Sequence, residues 1–150
     1  MTHPRQDLGR EGENRAAQFL EARGYRIVAR NVRADRVEID LIVRRSTTLV
    51  FVEVKSRRAI QGNGSPDSGL GHGLVAEAVD ERKQRRLRRG AHAWLAANPI
   101  EARRSRARRF DVVTCLLHRG PLTSEEQWTK KKTTVPETGR WSIQHWEAAF

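Results

Sequence analysis

Glu53 and Lys55 stand in a run, Thr48-Leu49-Val50-Phe51-Val52-Glu53-Val54-Lys55, that is otherwise dominated by β-branched, aliphatic and aromatic residues. Such a run reads as a strand buried on both faces. A charge inside it is tolerated only when paired, hydrogen-bonded or metal-bound. Alternation at period two puts Leu49, Phe51, Glu53 and Lys55 on one face, with Val50, Val52 and Val54 on the other. A carboxylate and an ammonium on adjacent same-face positions at a strand end can bind a metal and stabilise an anion, which is what phosphodiester hydrolysis needs. The competing reading is a half-exposed edge pair, because Glu-x-Lys arises by chance in so charged a chain.

Asp40 breaks a second strand pattern. In Val37 to Val43, Val37, Ile39, Leu41 and Val43 fall on one face, and Glu38, Asp40 and Ile42 on the other. Mid-strand Asp is disfavoured, so Asp40 is either functional or an inward carboxylate bonded to Arg or backbone. The turn at Arg44 to Thr47 is short enough for an antiparallel hairpin, which lets Asp40 and Glu53 face each other across the ladder. Glu13 is the third carboxylate. It lies on the core-facing side of a helix expected from about Leu8 to Arg23, capped by Asp7 and ended by Gly24 with Tyr25 behind it. Its alternative is a solvated Glu favoured by the helix macrodipole. Gly9 and Gly12 lower helix propensity and call for the close approach of another group.

The remaining elements have to position these groups. Tyr25 to Asn31 has strand character, and residues 57–74, with Gly62, Gly64, Gly69, Gly71, Gly73 and Pro66, read as a mobile loop. A helix is expected from about Val75 to Ala97, its apolar stripe marked by Val79, Leu87, Ala91, Trp94 and Leu95 and its end by Asn98-Pro99. Lys83 lies on that stripe, either snorkelling past the core or turned to the carboxylates, where it would help bind phosphate. Phe110 to Leu117 is a buried-type strand, and strand, helix, strand implies a parallel crossover from the Glu53 strand. Trp141 to His145 is a short alternating strand. Of Trp128, Trp141 and Trp146, the last two are assigned to the core. One domain is expected over residues 1–150, with a core at about 8–117 and a C-terminal extension at about 118–150.

The formal net charge of +11, from 29 Lys and Arg against 18 Asp and Glu, points to a polyanionic partner. Arg outnumbers Lys, which suits bidentate phosphate contacts. The basic residues are densest from Asp80 to Arg109, where a phosphate backbone would be attracted and released by salt. Cys115 is the only cysteine, which removes a disulfide framework and a thiolate zinc cluster. The expected compartment is the cytoplasm, and no apolar stretch approaches a membrane span. Three carboxylates brought together need a cation or raised pKa values, since two unit charges 4 Å apart interact by about 4 kcal/mol at an effective dielectric of 20. Hard oxygen ligands with no His or Cys nearby favour Mg²⁺ or Mn²⁺.

Gly9-Arg10-Glu11-Gly12-Glu13, Glu38-Ile39-Asp40-Leu41-Ile42, Phe51-Val52-Glu53-Val54-Lys55-Ser56-Arg57-Arg58 and Arg109-Phe110-Asp111-Val112-Val113, in this order, resemble the YraN-type family of uncharacterised bacterial proteins. That family is similar to the PD-(D/E)xK restriction-endonuclease-like superfamily and, within it, to archaeal Holliday-junction resolvases. Ile39 stands where the superfamily signature has proline. The resemblance implies an α/β fold with an αβββαβ core, a mixed central sheet and flanking helices. It implies Asp40 and Glu53 as Mg²⁺ or Mn²⁺ ligands, Lys55 as the catalytic lysine and Glu13 as a contributing carboxylate. The expected activity is hydrolysis of DNA, including branched or junction DNA, with DNA favoured over RNA. Lys83, Arg57, Arg58, Arg82, Arg86 and Arg89 are the candidate nucleic-acid-binding residues, gripping backbone rather than bases. A noncatalytic DNA- or RNA-binding protein on the same scaffold is the alternative. A homodimer is expected by analogy with the two-fold symmetry of junctions.

Overall fold

A computed structural model describes residues 4–59, 80–118 and 139–150. The expected glycine-rich loop from residue 60 onward, the helical residues 75–79 with Val79, and Trp128 lie outside them.

Helix α1 (Pro4–Ala22) is followed by β1 (Arg26–Ala34), β2 (Val37–Arg45), β3 (Thr48–Arg58), helix α2 (Glu81–Ala97), a short helix α3 (Pro99–Arg104), β4 (Ala107–His118) and β5 (Arg140–Trp146). The strands form one mixed sheet in the order β1-β2-β3-β4-β5. β1, β2 and β3 are antiparallel neighbours, β4 runs parallel to β3, and β5 returns antiparallel to β4. This is the mixed α/β architecture expected from the sequence, with two departures in extent. β3 continues through Arg57 and Arg58, paired with Leu116 and Leu117, where a loop was expected to begin. β5 and Phe150 belong to the sheet and its core, so the packed unit extends past residue 117.

Local chemistry explains the element ends. α1 begins at Pro4, because a fixed φ and a missing N–H suit the first helical turn. Asp7 is therefore inside that turn and does not cap the helix. At the other end Gly24 adopts φ +82°, the N–H of Tyr25 donates to Leu20 O and that of Gly24 to Glu21 O, the two bonds of a Schellman motif. Asp35 and Arg36 both have positive φ, as a two-residue type I′ turn requires, and they join β1 to β2. Ser46 and Thr47 turn β2 into β3.

The sheet separates two cores. On one face Ala16, Ala17 and Leu20 of α1 pack on Leu41, Val43, Val50, Val52, Val113 and Cys115. On the other, Leu87, Ala91, Trp94 and Leu95 of α2 cover Val37, Ile39, Ile42, Leu49 and Phe51. Burying one such aliphatic side chain stabilises by about 1.5–3 kcal/mol. The faces of β3 are those that alternation assigned. Those of β2 are not: Ile39 and Ile42 share the α2 face while Leu41 and Val43 face α1. The alternation slips at Asp40, so the expected single face of Val37, Ile39, Leu41 and Val43 is divided in two.

Candidate active site

The slip in β2 coincides with the end of its pairing to β3, while its pairing to β1 continues to Val37. β2 and β3 are paired from Arg45–Thr48 to Leu41–Val52, and the register stops there. At the next position Asp40 Oδ2 accepts a hydrogen bond from the backbone N–H of Val54 at 2.7 Å. The carboxylate thus takes the acceptor's place that a ladder carbonyl would have filled. Asp40 and Glu53 do not face each other as ladder partners; they flank the point where the strands part.

Glu53 projects from β3 towards α2, where it accepts a hydrogen bond and ion pair from Lys83 Nζ. The Glu53 side chain is 11% exposed and that of Lys83 29%. Lys83 is held in the first turn of α2 because Asp80 caps it: Asp80 Oδ1 accepts from the Lys83 N–H at 2.9 Å. The two readings of Lys83 thus resolve towards the carboxylates. Lys55 lies two residues beyond Glu53, half-buried, beside Thr114 in the parallel ladder, and among the described residues it has no ion-pair partner.

Glu13 reaches the site through a tight helix-to-sheet contact. A Cβ on Gly12 would lie 1.7 Å from Ser56 Oγ and 2.8 Å from Ser56 Cβ, so only glycine lets α1 settle on β3 here. Gly12 O also accepts from the Cys115 thiol at 3.5 Å. That thiol is buried, as expected, and burial pushes it up to about 12. Gly9 has open space around it, so close approach accounts for only one of the two glycines.

The electrostatics join these groups. Burial, followed by the charge of Glu53, pushes the Asp40 carboxyl up to about 7; the Val54 N–H and Lys83 pull it down, and Glu13 adds a smaller upward push. Glu53, Glu13 and Lys83 therefore all act on Asp40. Among the described residues no three His, Cys, Asp or Glu groups close into a metal cage. Two carboxylates are nonetheless the protein share that Mg²⁺ commonly takes, since it keeps several of its waters. The Lys83 ammonium on Glu53 shows that the place attracts a cation.

Of the other basic candidates, Arg82, Arg86 and Arg89 recur at helical spacing on the exposed side of α2, with Arg89 Nε 2.6 Å from Asp35 Oδ2. Arg57 and Arg58 are exposed at the end of β3.

A second polar centre escaped the sequence reading. Asp111 of β4 is wholly buried and accepts two 2.8 Å bonds from Arg109 and a 3.0 Å bond from the Ala148 N–H. His145 Nε2 lies 2.7 Å from Oδ2, the oxygen that also accepts from Arg109 Nη2. Arg109 also donates to Tyr25 Oη at 2.8 Å, and Tyr25 Oη donates to Glu147 at 2.9 Å. Burial alone would raise the Asp111 carboxyl, but the bonds from His145, Arg109 and Ala148 outweigh it and hold it below the ordinary range. The signal was present: Asp111 and Arg109 interrupt an apolar strand on one face, as Glu53 and Lys55 do. A cleft of about 780 Å³ lined by Phe19, Arg23, Tyr25, Arg45, His145 and Glu147 adjoins this centre and shares no residue with the Asp40 site.

The profile of the uncharacterised protein family UPF0102 matches residues 12–115, a span holding Glu13, Asp40, Glu53, Lys55, Lys83 and Asp111. A UPF0102 protein of Nitratidesulfovibrio vulgaris strain DP4 is 41% identical over 131 residues, covering 86% of each chain. Another, from Clavibacter michiganensis subsp. michiganensis, is 45% identical over 121 residues, 81% of this chain and 92% of the relative. A third, from Nocardia farcinica, is 45% identical over 116 residues, 77% and 81% of the two chains. With a match over this much of its length, the chain belongs to the uncharacterised protein family UPF0102.

Proposed function

We propose that this protein is a Mg²⁺- or Mn²⁺-dependent nuclease of the PD-(D/E)xK type that hydrolyses phosphodiester bonds in DNA, branched or junction DNA included. The observation that carries the reading is the meeting of Asp40 and Glu53 where β2 and β3 part, with Lys55 next along the same strand. Asp40 and Glu53 would hold the ion. When bound, it supplies a water of lowered pKa and polarises a phosphoryl oxygen. Lys55 stands where an ammonium would orient that water or offset charge developing on the phosphate. Glu13 adds negative potential from α1, and the Asp40 proton would be released as the site fills.

The basic stripe Arg82, Arg86 and Arg89, with Arg57 and Arg58, supplies backbone contacts that carry no base readout. Selectivity then comes from the shape of the nucleic acid. One observation favours the rival reading of a noncatalytic nucleic-acid binder, namely that Lys83 already neutralises Glu53. The test is a Mg²⁺-dependent cleavage assay on linear, flapped and four-way DNA. Cleavage by wild type that falls 100-fold or more in Asp40→Asn supports the nuclease; an Asp40→Asn variant as fast as wild type overturns the site. Binding of DNA without cleavage under both ions supports the binder.

A further inference from the structure

Glu53 is a largely buried carboxylate, and a buried carboxylate must be paired, hydrogen-bonded or neutralised. The chain supplies the partner itself. Lys83 is placed for this by two fixed features: the Asp80 cap starts α2 at a set residue, and the buried Leu87, Gly90 and Ala91 hold the helix against β2. Gly90 tightens that docking, since a Cβ there would lie 2.8 Å from Val37 Cβ. The ammonium satisfies Glu53 and also acts on Asp40. It thus supplies positive charge at the Glu53 half of the place a divalent ion would need, in contact with Glu53 and acting on Asp40 only through its charge.

We propose that Lys83 is an internal stand-in for the divalent ion, a latch that holds Glu53 in the metal-free protein and must leave before Glu53 can ligate. The proposal rests on the reading of Asp40 and Glu53 as the ion's ligands. An ammonium already paired with Glu53 and an ion ligated by the same carboxylate repel each other at short range. The ion therefore binds in competition with Lys83, and its apparent affinity is lowered by the work of breaking the pair. Once displaced, the ammonium is free in the first turn of α2, beside the stripe of Arg82 and Arg86, where a phosphate can take it. A polyanion that engages Lys83 frees Glu53, so polyanion and ion strengthen each other's binding by the same factor. The device weakens metal binding until a polyanion engages Lys83.

The experiment is direct Mn²⁺ binding to the full chain without nucleic acid, read by the electron paramagnetic resonance of free Mn²⁺. It compares wild type, Lys83→Met, Lys83→Gln, Lys83→Arg and Asp40→Asn. Lys83→Met is expected to bind Mn²⁺ on the order of tenfold tighter than wild type, Lys83→Gln to shift the same way, and Lys83→Arg to stay near wild type. The Gln variant keeps the test informative if the Met variant folds poorly. Unchanged or weaker binding in both neutral variants, with binding lost in Asp40→Asn, sinks the latch and leaves the ion site standing. Absence of binding in wild type and in both neutral variants sinks the ion site, and the latch with it.

Discussion

Asp40 holds its proton to a higher pH than an ordinary aspartate does, and the cause is its surroundings. Burial comes first, then the neighbouring Glu53 charge, against the pull of the Val54 N–H and Lys83. Its folded value, about 7, lies above the ordinary 3.8. Between those values the folded chain binds a proton that the unfolded chain has released, so Asp40 makes stability fall as pH rises from about 4 to about 7. Asp40→Asn can still accept from Val54 and never ionises. In metal-free buffer it is expected to be more stable than wild type by roughly 1–2 kcal/mol at about pH 8, a few degrees in Tm, with the gap closing towards pH 4. Thermal melts across that range in the presence of a chelator measure it. A gap that does not change with pH means that Asp40 is ionised throughout.

Elements act here by how closely they approach. The contact of α1 with β3 rests on Gly12, and a methyl group there meets Ser56 Oγ, which can rotate, and Ser56 Cβ, which cannot. Gly12→Ala is expected to cost about 1–3 kcal/mol by overpacking. Adding Ser56→Ala should recover part of that loss, so the pair will be coupled in a double-mutant cycle. Additive losses in a denaturant titration would place α1 farther from the strand. This contact also shows what a sequence can and cannot reveal. The two strand misfits, Asp40 and Glu53, were legible because a charge inside an apolar run violates a local rule. The helix stop at Gly24-Tyr25 and the β2–β3 hairpin were legible for the same reason: their signals lie within a few residues. Gly12 announced only that something must come near. Its partner, Ser56, is more than forty residues away and carries no signal of its own. The slip of β2 at Asp40 was hidden too, because alternation assumes the regular ladder with β3 that Asp40 ends. Lys83 was ambiguous between core and site until the fold showed which neighbour the stripe met.

At the scale of the molecule, two centres hold the sheet together in different ways. The Asp40–Glu53 centre lies between strands joined by a two-residue turn. The Asp111 centre collects Tyr25 from the end of α1, Arg109 from β4, His145 from β5 and Glu147 from the segment after β5. Beyond it Phe150 stacks on Phe110 in the opposite core, so the last residues tie both faces of the sheet. Asp111→Ala leaves a guanidinium and an imidazole without their buried partner and is expected to cost about 3–5 kcal/mol. In the wild type the same contribution, present above the ordinary aspartate value, is lost as pH falls through the depressed folded value of Asp111. The span of chain each centre has to close also sets an order in time. A hairpin with a two-residue turn forms in about 1–10 μs, whereas the parallel pairing of β3 with β4 and the arrival of β5 wait on distant segments and a larger loop-closure entropy. The carboxylates of the candidate site are then neighbours in a nascent hairpin before the rest of the sheet exists, and the Asp111 cluster is the last to close. Stopped-flow kinetics would show this as Asp111→Ala unfolding faster with its folding rate little changed; a folding limb slowed in proportion to the lost stability would put Asp111 in the nucleus instead.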